Sequence, residues 1–529
     1  MADIVPDSYQ SAVIQSAAKD IVVQAGAGSG KTFTLLSRIH RLVTYCNVDP
    51  ERILVLTFTR VAAEHMRDKY LKVQDSQYDA VPDFNTFHAF CYRVLSEYPG
   101  VAQALGFNAV PDVASDMDMQ RYRLQAKDDT SCTLSFKQIS RPWMLHGKNL
   151  RMYENYCKRL SQLLKRANVI DYDTLNEKVC QLFVDDHECV APVKERYLYL
   201  FVDEFQDTDE YQFNFVKSMQ HCNRVLCGDA LQNIYQFRGC SNKPLKQLLE
   251  SDSWVTYTLP VNYRSSFNIC SYVNSMSEKF RSKKYRVELK SMRKGPSVRG
   301  CFDMDEEDTY NALAKYCKIC SRTGSVAVLC RTNKEVQAVA DAFKRLGVNF
   351  SRNVDSEYAV NVLEACDSDS AKYRWAAANM SDKEYALYRK LKMQGMQDEE
   401  IFESKCMYFP STSVLLSDIA SVTSVMESYS VRDATFMLCD MFEVPLPDSE
   451  FEANEQLLAY LKNKVQSSPE SAVHVGTIHS VKGLEYDSVA VANVNGNAFK
   501  IKNEENENLL YTACTRARKN LIVFYQYAQ

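Results

Sequence analysis

The hydrophobic and polar positions along the first 95 residues follow two different periods. "DIVVQA" at 20–25 is a short continuous apolar run, the pattern of a strand buried on both faces. A glycine-rich turn and a stretch of helical spacing follow at once. "RILVLTFT" at 52–59 repeats the strand pattern and leads into "RVAAEHMRDKYL", again with helical spacing. This βαβα order predicts a parallel sheet covered by helices. From about 96 to 188 the pattern becomes helical and irregular, with basic stretches such as "YCKRLSQLLKRANVIDYD". Strand patterns return at "YLYLFVDEF" (197–205) and "RVLCGD" (224–229). The basic, turn-prone "RSKKYRVELKSMRKGPSVRG" (281–300) reads as a connection between domains or a solvated loop. "GSVAVLCRT" (324–332) is another strand, and the residues from the 330s into the 460s read as helical and polar. "SVAVANV" (488–494) and "NLIVFYQ" (520–526) restore strand character. The chain reads as two α/β units, each interrupted by a mainly helical insertion.

The 529 residues suffice for roughly three or four compact units. Apolar residues make up 46% and charged residues 25%, the balance of a globular chain with a sizeable core. The formal net charge of −4 excludes a uniformly basic nucleic-acid binder but allows a locally basic groove. Eighteen cysteines lie scattered, many inside apolar runs, which points to reduced thiols in an intracellular protein, in cytoplasm, nucleoid or nucleus. Cys317 and Cys320 form a CxxC, but a zinc site takes about four ligands and no second pair is near, so they read as one face of a helix. "MADIVPDSYQ" lacks a secretory pattern, and no apolar run approaches the roughly 18 residues of a membrane span, so no membrane association is expected.

The strongest chemical signal is "AGAGSGKT", Ala25, Gly26, Ala27, Gly28, Ser29, Gly30, Lys31 and Thr32, placed after a buried strand and opening a helix. Gly26, Gly28 and Gly30 let the backbone curl so that its N–H groups face anionic oxygens, and the helix N-terminus adds positive field. Lys31 then reaches the β- and γ-phosphates of ATP, and the Thr32 hydroxyl holds Mg²⁺. In "LFVDEFQD", a buried strand delivers Asp203, suited to Mg²⁺ coordination through water, and Glu204, suited to polarise the attacking water. Arg264 in "VNYRSS" and Arg516 in "YTACTRARKN" are candidates for the positive charge that phosphoryl transfer needs in its transition state.

Together these segments resemble the UvrD/Rep/PcrA-type helicases of superfamily 1, from near Gln10 to near Arg518. "SYQSAVI" resembles the Q-motif, with Gln10 about 21 residues before Lys31. "LVLTFTRVAAEHMRDK" resembles "TFTNKAAxEMxxR", with Arg60 where asparagine is usual. "NTFHAFCYRVL" resembles "GTFHSLAxRLL", and "VDEFQDTDEYQ" resembles the family's Walker B segment. "CGDALQNIYQFRGC" resembles "GDDDQSIYxWRGA", and "LPVNYRSS" resembles "LxxNYRS". "VGTIHSVKGLEYDSV" resembles "LMTLHSAKGLEFxxV", and "LLYTACTRARKNL" resembles "LxYVxxTRAxxxL". The segments occur in the family's order.

The resemblance implies an α/β fold of two RecA-like P-loop motor domains, 1–95 with 189–268 and 269–355 with 468–529. It implies helical accessory insertions at 96–188 and, shorter than usual, at 356–467. It implies roles as well. Gln10 and Tyr263 hold adenine, Gln232 senses the γ-phosphate, Arg264 and Arg516 contact it, and Glu485 reaches the ribose. Phe58, Thr86, His88, Tyr235, Phe237, Arg238, His479 and Lys482 fall on positions that line a single-strand channel, where rings stack on bases and cations track phosphates. The implied activity is ATP-driven movement on single-stranded DNA, 3′ to 5′, with unwinding at junctions between single and double strands, by a monomer or weak dimer. About a dozen residues follow "TRAR", so neither a nuclease domain nor a UvrD-type tail is expected. A translocase that strips proteins without unwinding, an RNA motor and an inactive scaffold are the competing readings.

Overall fold

Strands buried on both faces need apolar side chains at every position, and the apolar runs become such strands. The computed structural model describes residues 5–72, 80–114, 116–139, 145–235, 241–302, 306–352, 421–441, 450–466, 472–496 and 499–525. It also describes single positions and pairs between 362 and 419, and residue 447. The first sheet comprises β1 (Asp20–Ala25), β2 (Ile53–Thr57), β3 (Asp83–Thr86), β6 (Tyr199–Val202), β7 (Asn223–Gly228) and β8 (Val255–Leu259), in the order β3-β2-β6-β7-β1-β8. Every pairing in it is parallel. The second sheet comprises β9 (Arg299–Phe302), β10 (Val326–Cys330), β11 (Ser351–Arg352), β12 (Val473–Thr477), β13 (Tyr486–Val494) and β14 (Ala517–Tyr525), in the order β11-β12-β10-β13-β14-β9, again all parallel. The expected α/β fold with two parallel sheets is what the chain adopts.

Short or polar strands escaped the sequence pattern for a physical reason. β3, β8, β9 and β11 are edge strands, and the described residues of β3, β8 and β9 are, apart from Leu259, partly enclosed or exposed and carry no continuous apolar run. In β12, His474 and Gly476 interrupt the run. The basic stretch 281–300 does lead from the first sheet to the second, but it is not merely solvated. Val287 and Leu289 are buried, and a Cβ built on Gly26 would sit 2.5 Å from Leu289 Cδ2. Cys317 is buried on the Glu306–Cys320 helix, against the core of the second sheet.

The chain divides into two units. One, Met1–Leu105, Leu175–Arg352 and Ser471–Gln529, holds both sheets. Within it a single apolar cluster joins Ala27, Leu231 and Ile234 beside the first sheet to Ile478, Val481 and Leu509 beside the second. The other unit is Gly106–Thr174 with Asn353–Glu470. In it β4 (Asp112–Val113) and β5 (Val169–Ile170) pair in parallel. The Gly147–Ala167 helix packs Tyr156 and Leu163 against Ala126, Leu134 and Leu145. A second cluster there unites Leu363, Ile419, Leu438 and Leu457.

Candidate nucleotide and nucleic-acid site

β1 ends at Ala25, and the Lys31–Cys46 helix begins six residues later with Gly30 at its N-cap and no side-chain cap. Gly28 and Gly30 adopt φ of +68° and +77°, the left-handed region open to glycine at little cost. The loop is also crowded: a Cβ on Gly28 would lie 2.8 Å from Arg264 Cβ, and one on Gly30 would lie 2.9 Å from Gln10 Nε2. Its carbonyls are occupied, since Asn262 Nδ2 donates to Ala27 O at 2.6 Å and Tyr263 N–H donates to Gly28 O at 2.9 Å. The N–H groups of Gly28, Gly30, Lys31 and Thr32 bond no acceptor among the described residues. A row of unsatisfied donors at a helix N-terminus suits a polyphosphate.

β6 delivers the two carboxylates opposite this loop. Glu204 itself adopts φ +53°, a strained conformation for a residue with a side chain, and this turn aims its carboxylate at Lys31. Lys31 Nζ donates to Glu204 Oε2 at 3.1 Å, and Thr32 Oγ1 donates to Asp203 Oδ2 at 3.2 Å. Burial disfavours the Lys31 ammonium, but Glu204, Asp203 and Asp229 outweigh it and hold its pKa above the ordinary value. Burial and the neighbouring Glu204 charge raise Asp203. Burial pushes Glu204 up as well, yet Lys31 and Lys482 overcome this and keep it below the usual carboxylate range. Hydroxyl and carboxylate at Thr32 and Asp203 are hard oxygen donors, the set that fits Mg²⁺.

Residues from loops of both sheets complete the site. Arg516 is buried and donates to Gln232 Oε1 at 3.1 Å, while Gln232 Nε2 donates to Asp229 Oδ2 at 2.7 Å. Burial, and then the like charge of Arg264, destabilise the Arg516 cation, a debt that an anionic phosphate would relieve. Arg264 Nε donates to Glu485 Oε2 at 2.6 Å, and its Nη1 donates to Thr515 O at 3.1 Å. Tyr263 is half-exposed and donates its hydroxyl to Asp7 Oδ2 at 2.6 Å. Gln10 is buried: its amide donates to Ser29 O at 3.1 Å, and its Oε1 accepts from Asp7 N–H, closing a capping box on the Ser8–Gln15 helix.

The expected channel residues fall into two groups. Phe58 and Tyr235 stack with ring centroids 5.0 Å apart, and His479 lies 6.2 Å from Tyr235. Lys482 Nζ sits 4.7 Å from the Tyr235 centroid. Lys482 also bonds the Asp207 carboxylate, and donates to Gln232 O at 2.9 Å. Thr86 caps the Phe87–Glu97 helix by accepting from Ala89 N–H at 3.1 Å, and His88 lies in that helix's first turn. Phe237 and Arg238 lie outside the described residues. Sequence reasoning assigned no role to Gln206, Asp207, Asp229 or Tyr511. Yet Gln206 donates to Glu204 at 2.5 Å and accepts from Asp229 N–H at 3.0 Å, and Tyr511 donates to Asp229 Oδ2 at 3.1 Å. The first three stand inside the segments that drew attention to Glu204 and Gln232, and polar side chains at the ends of buried strands were the available signal.

Residues 7–140 and 102–252 match the family model described as the UvrD/REP helicase N-terminal domain, and residues 382–528 match the UvrD-like helicase C-terminal domain. A probable DNA helicase II homolog of Mycoplasma genitalium is 22% identical, over 95% of this chain and 82% of its own length. A putative ATP-dependent DNA helicase of Bacillus subtilis is 23% identical, over 95% of this chain and 76% of its own. The ATP-dependent DNA helicase PcrA of Leuconostoc citreum is 27% identical, over 65% of this chain and 49% of its own. Among the described residues, no helix is long and apolar enough to cross a membrane.

Proposed function

Because the chain belongs to the UvrD/Rep/PcrA-type superfamily 1 helicases and is thereby an ATP-dependent DNA helicase, we propose that it moves on single-stranded DNA from 3′ to 5′ and couples each ATP to unwinding at a junction. Residues 1–95 with 189–268, and 269–355 with 468–529, act as the two motor domains, and 96–188 and 356–467 as accessory insertions. The observation that carries this reading is the convergence of Lys31, Thr32, Asp203 and Glu204 with Arg264 and Arg516, drawn from loops of both sheets.

Lys31 exchanges Glu204 for the β- and γ-phosphates when ATP binds. That exchange removes one of the two charges that depress Glu204, leaving Lys482, and makes its carboxylate a better base. Glu204 then accepts a proton from a water whose oxygen attacks the γ-phosphorus, the bond to the β,γ-bridging oxygen breaks, and ADP and phosphate leave. Thr32 and Asp203 hold Mg²⁺, which neutralises phosphate charge when bound. Arg516 and Arg264 stabilise the charge that builds on the transferring group. Tyr263 stacks on the adenine, Gln10 sits beside it, and Glu485 leaves Arg264 for the ribose. Phe58, Tyr235 and His479 hold the strand, with Thr86, His88, Phe237 and Arg238 beside them. Lys482 links that channel to Gln232, and so to Arg516. The chain works as a monomer or weak dimer.

The deciding experiment is ATP hydrolysis with and without single-stranded DNA, for wild type and Lys31→Ala. Strand stimulation that Lys31→Ala abolishes is expected. Stimulation by RNA and not DNA would overturn the substrate. Hydrolysis no higher than the variant's under either condition would leave a scaffold or partner-dependent subunit as the better reading. A second reading, translocation that strips bound proteins without unwinding, is favoured by the shortness of 356–467, and a forked-duplex assay separates the two.

A further inference from the structure

The Glu504–Cys514 helix connects β13 to β14 of the second sheet and leads directly into Arg516. Glu504, Asn508, Tyr511 and Thr515 are spaced by four, three and four residues, so they share one face. Each makes a polar contact with the half of the unit built on the first sheet. Glu504 Oε1 accepts from Asn242 Nδ2 at 2.6 Å and from Lys246 Nζ at 2.7 Å. Asn508 Nδ2 donates to Asn233 O at 3.0 Å, and Tyr511 donates its hydroxyl to Asp229 Oδ2 at 3.1 Å. Thr515 O accepts from Arg264 Nη1 at 3.1 Å. At 1.5 Å per residue, about 18 Å of helix separates Glu504 from Arg516.

The end far from Arg516 is the more heavily bonded. Ser282 Oγ also donates to Glu504 Oε1, at 2.7 Å, so three donors converge on one oxygen. Burial raises the Glu504 pKa, but these bonds outweigh it and hold the carboxylate below its ordinary range. Asn242 is the N-cap of the Lys243–Leu249 helix, where an asparagine side chain ordinarily bonds the helix's own free N–H groups. It makes no such bond and reaches Glu504 and Ala230 O instead. Glu505, in the same turn as Glu504, pairs with Arg331 Nη2 at 3.0 Å, just after β10 and so within the second sheet's half. Directional bonds fix where a helix sits along its axis, which apolar contact leaves free to slide. An arginine that acts on a transferring phosphoryl group tolerates little misplacement, since about 1 Å can cost a hundredfold in rate.

We infer, on the role of Arg516 proposed above, that Glu504 is a positioning residue for ATP hydrolysis. Held by Asn242, Lys246 and Ser282, it sets, through the Glu504–Cys514 helix, where Arg516 meets the γ-phosphate.

The test measures steady-state and single-turnover hydrolysis by the full chain with saturating single-stranded DNA, and melting curves check each fold. Glu504→Ala should lower kcat about tenfold or more while the ATP KM stays within about twofold, because the Arg516 contact it disturbs is made in the transition state. Lys246→Gln breaks the same contact from the other element and should give the same split. Glu505→Ala removes an acid from the same turn and should leave both constants within about twofold of wild type. In the Arg516→Ala background, Glu504→Ala should lower the rate no further, because residues that act through one group are not additive. An unchanged kcat in folded Glu504→Ala, beside a collapsed rate in Arg516→Ala, would overturn the inference and leave the role of Arg516 standing. So would an equal loss in Glu505→Ala, or a full further loss in the Arg516→Ala background, either of which marks a contribution to the fold alone. Near-normal turnover in Arg516→Ala would remove the role of Arg516, and the inference with it.

Discussion

The Lys482 ammonium is enclosed by the Asp207 carboxylate and the Gln232 carbonyl, and Asp207 is fully buried. Burial raises the Asp207 pKa to about 6, against the pull of Lys482. Lys482→Met would strand this carboxylate, and removal of one partner from a buried pair costs about 3–5 kcal/mol. Lys482→Met/Asp207→Asn should recover much of that loss, as denaturant unfolding of the four chains will show. Strict additivity, within about 0.5 kcal/mol, would mean that the pair carries no coupling. In the proposed hydrolysis, Glu204→Gln keeps the shape of the side chain but removes the proton acceptor. Turnover should fall about a hundredfold or more while nucleotide affinity persists, which pre-steady-state binding separates from steady-state rates. "DEFQD" made Glu204 legible because a strand, a loop and two acids are adjacent in sequence. Nothing local marks Asp207 as the partner of a lysine 275 residues away.

At the scale of the element, β12 carries His474 inside the second sheet. Its ring stacks on Tyr486 with centroids 5.8 Å apart, and its Nε2 has no hydrogen-bond partner among the described residues. Burial lowers its pKa to about 4 from an ordinary 6.5, so the native state holds it neutral. Below the ordinary value the unfolded chain takes up a proton that the native chain refuses. Stability from this group is therefore complete above about pH 6.5 and is lost as pH falls towards 4, by up to roughly 3 kcal/mol. His474→Gln should flatten that part of the stability-against-pH curve, with urea midpoints as the measurement. An unchanged acid slope would place the loss elsewhere. The phosphate loop is the other exacting element. Gly28→Ala meets a positive φ and a contact of 2.8 Å to Arg264, so it should cost about 1–3 kcal/mol and weaken nucleotide binding. The interior strands other than β12 were legible from their continuous apolar runs, which His474 and Gly476 break in β12. The edge strands were not, because an element half open to water does not need them.

Across the unit that holds both sheets, one core cluster and several polar contacts join the two halves. In the proposed mechanism, ATP bridges Lys31 and Arg516 and so adds to this joint. A non-hydrolysable analogue at a hundred times its dissociation constant should therefore stabilise the chain by about 2.7 kcal/mol, seen as a raised melting temperature that Lys31→Ala loses. Arg516→Ala removes a cation contributed from across the joint, and hydrolysis should fall about a thousandfold or more even with DNA present. Retention of near-normal turnover in that variant would remove Arg516 from the catalytic set.

The sequence by itself determined the two parallel sheets, the glycine-rich loop between β1 and the Lys31–Cys46 helix, and the adjacent carboxylates Asp203 and Glu204. These follow from a strand's apolar run, a glycine's freedom at positive φ, and the unsatisfied N–H groups of a helix start, all local properties. Only the tertiary structure decided that Lys482 is gripped by Asp207, that Gln10 spends its amide on Ser29 and Asp7, and that Arg264 pairs with Glu485. Those choices depend on which loops the sheet topology brings together. Once water is excluded there, a charge must take whichever partner lies within reach.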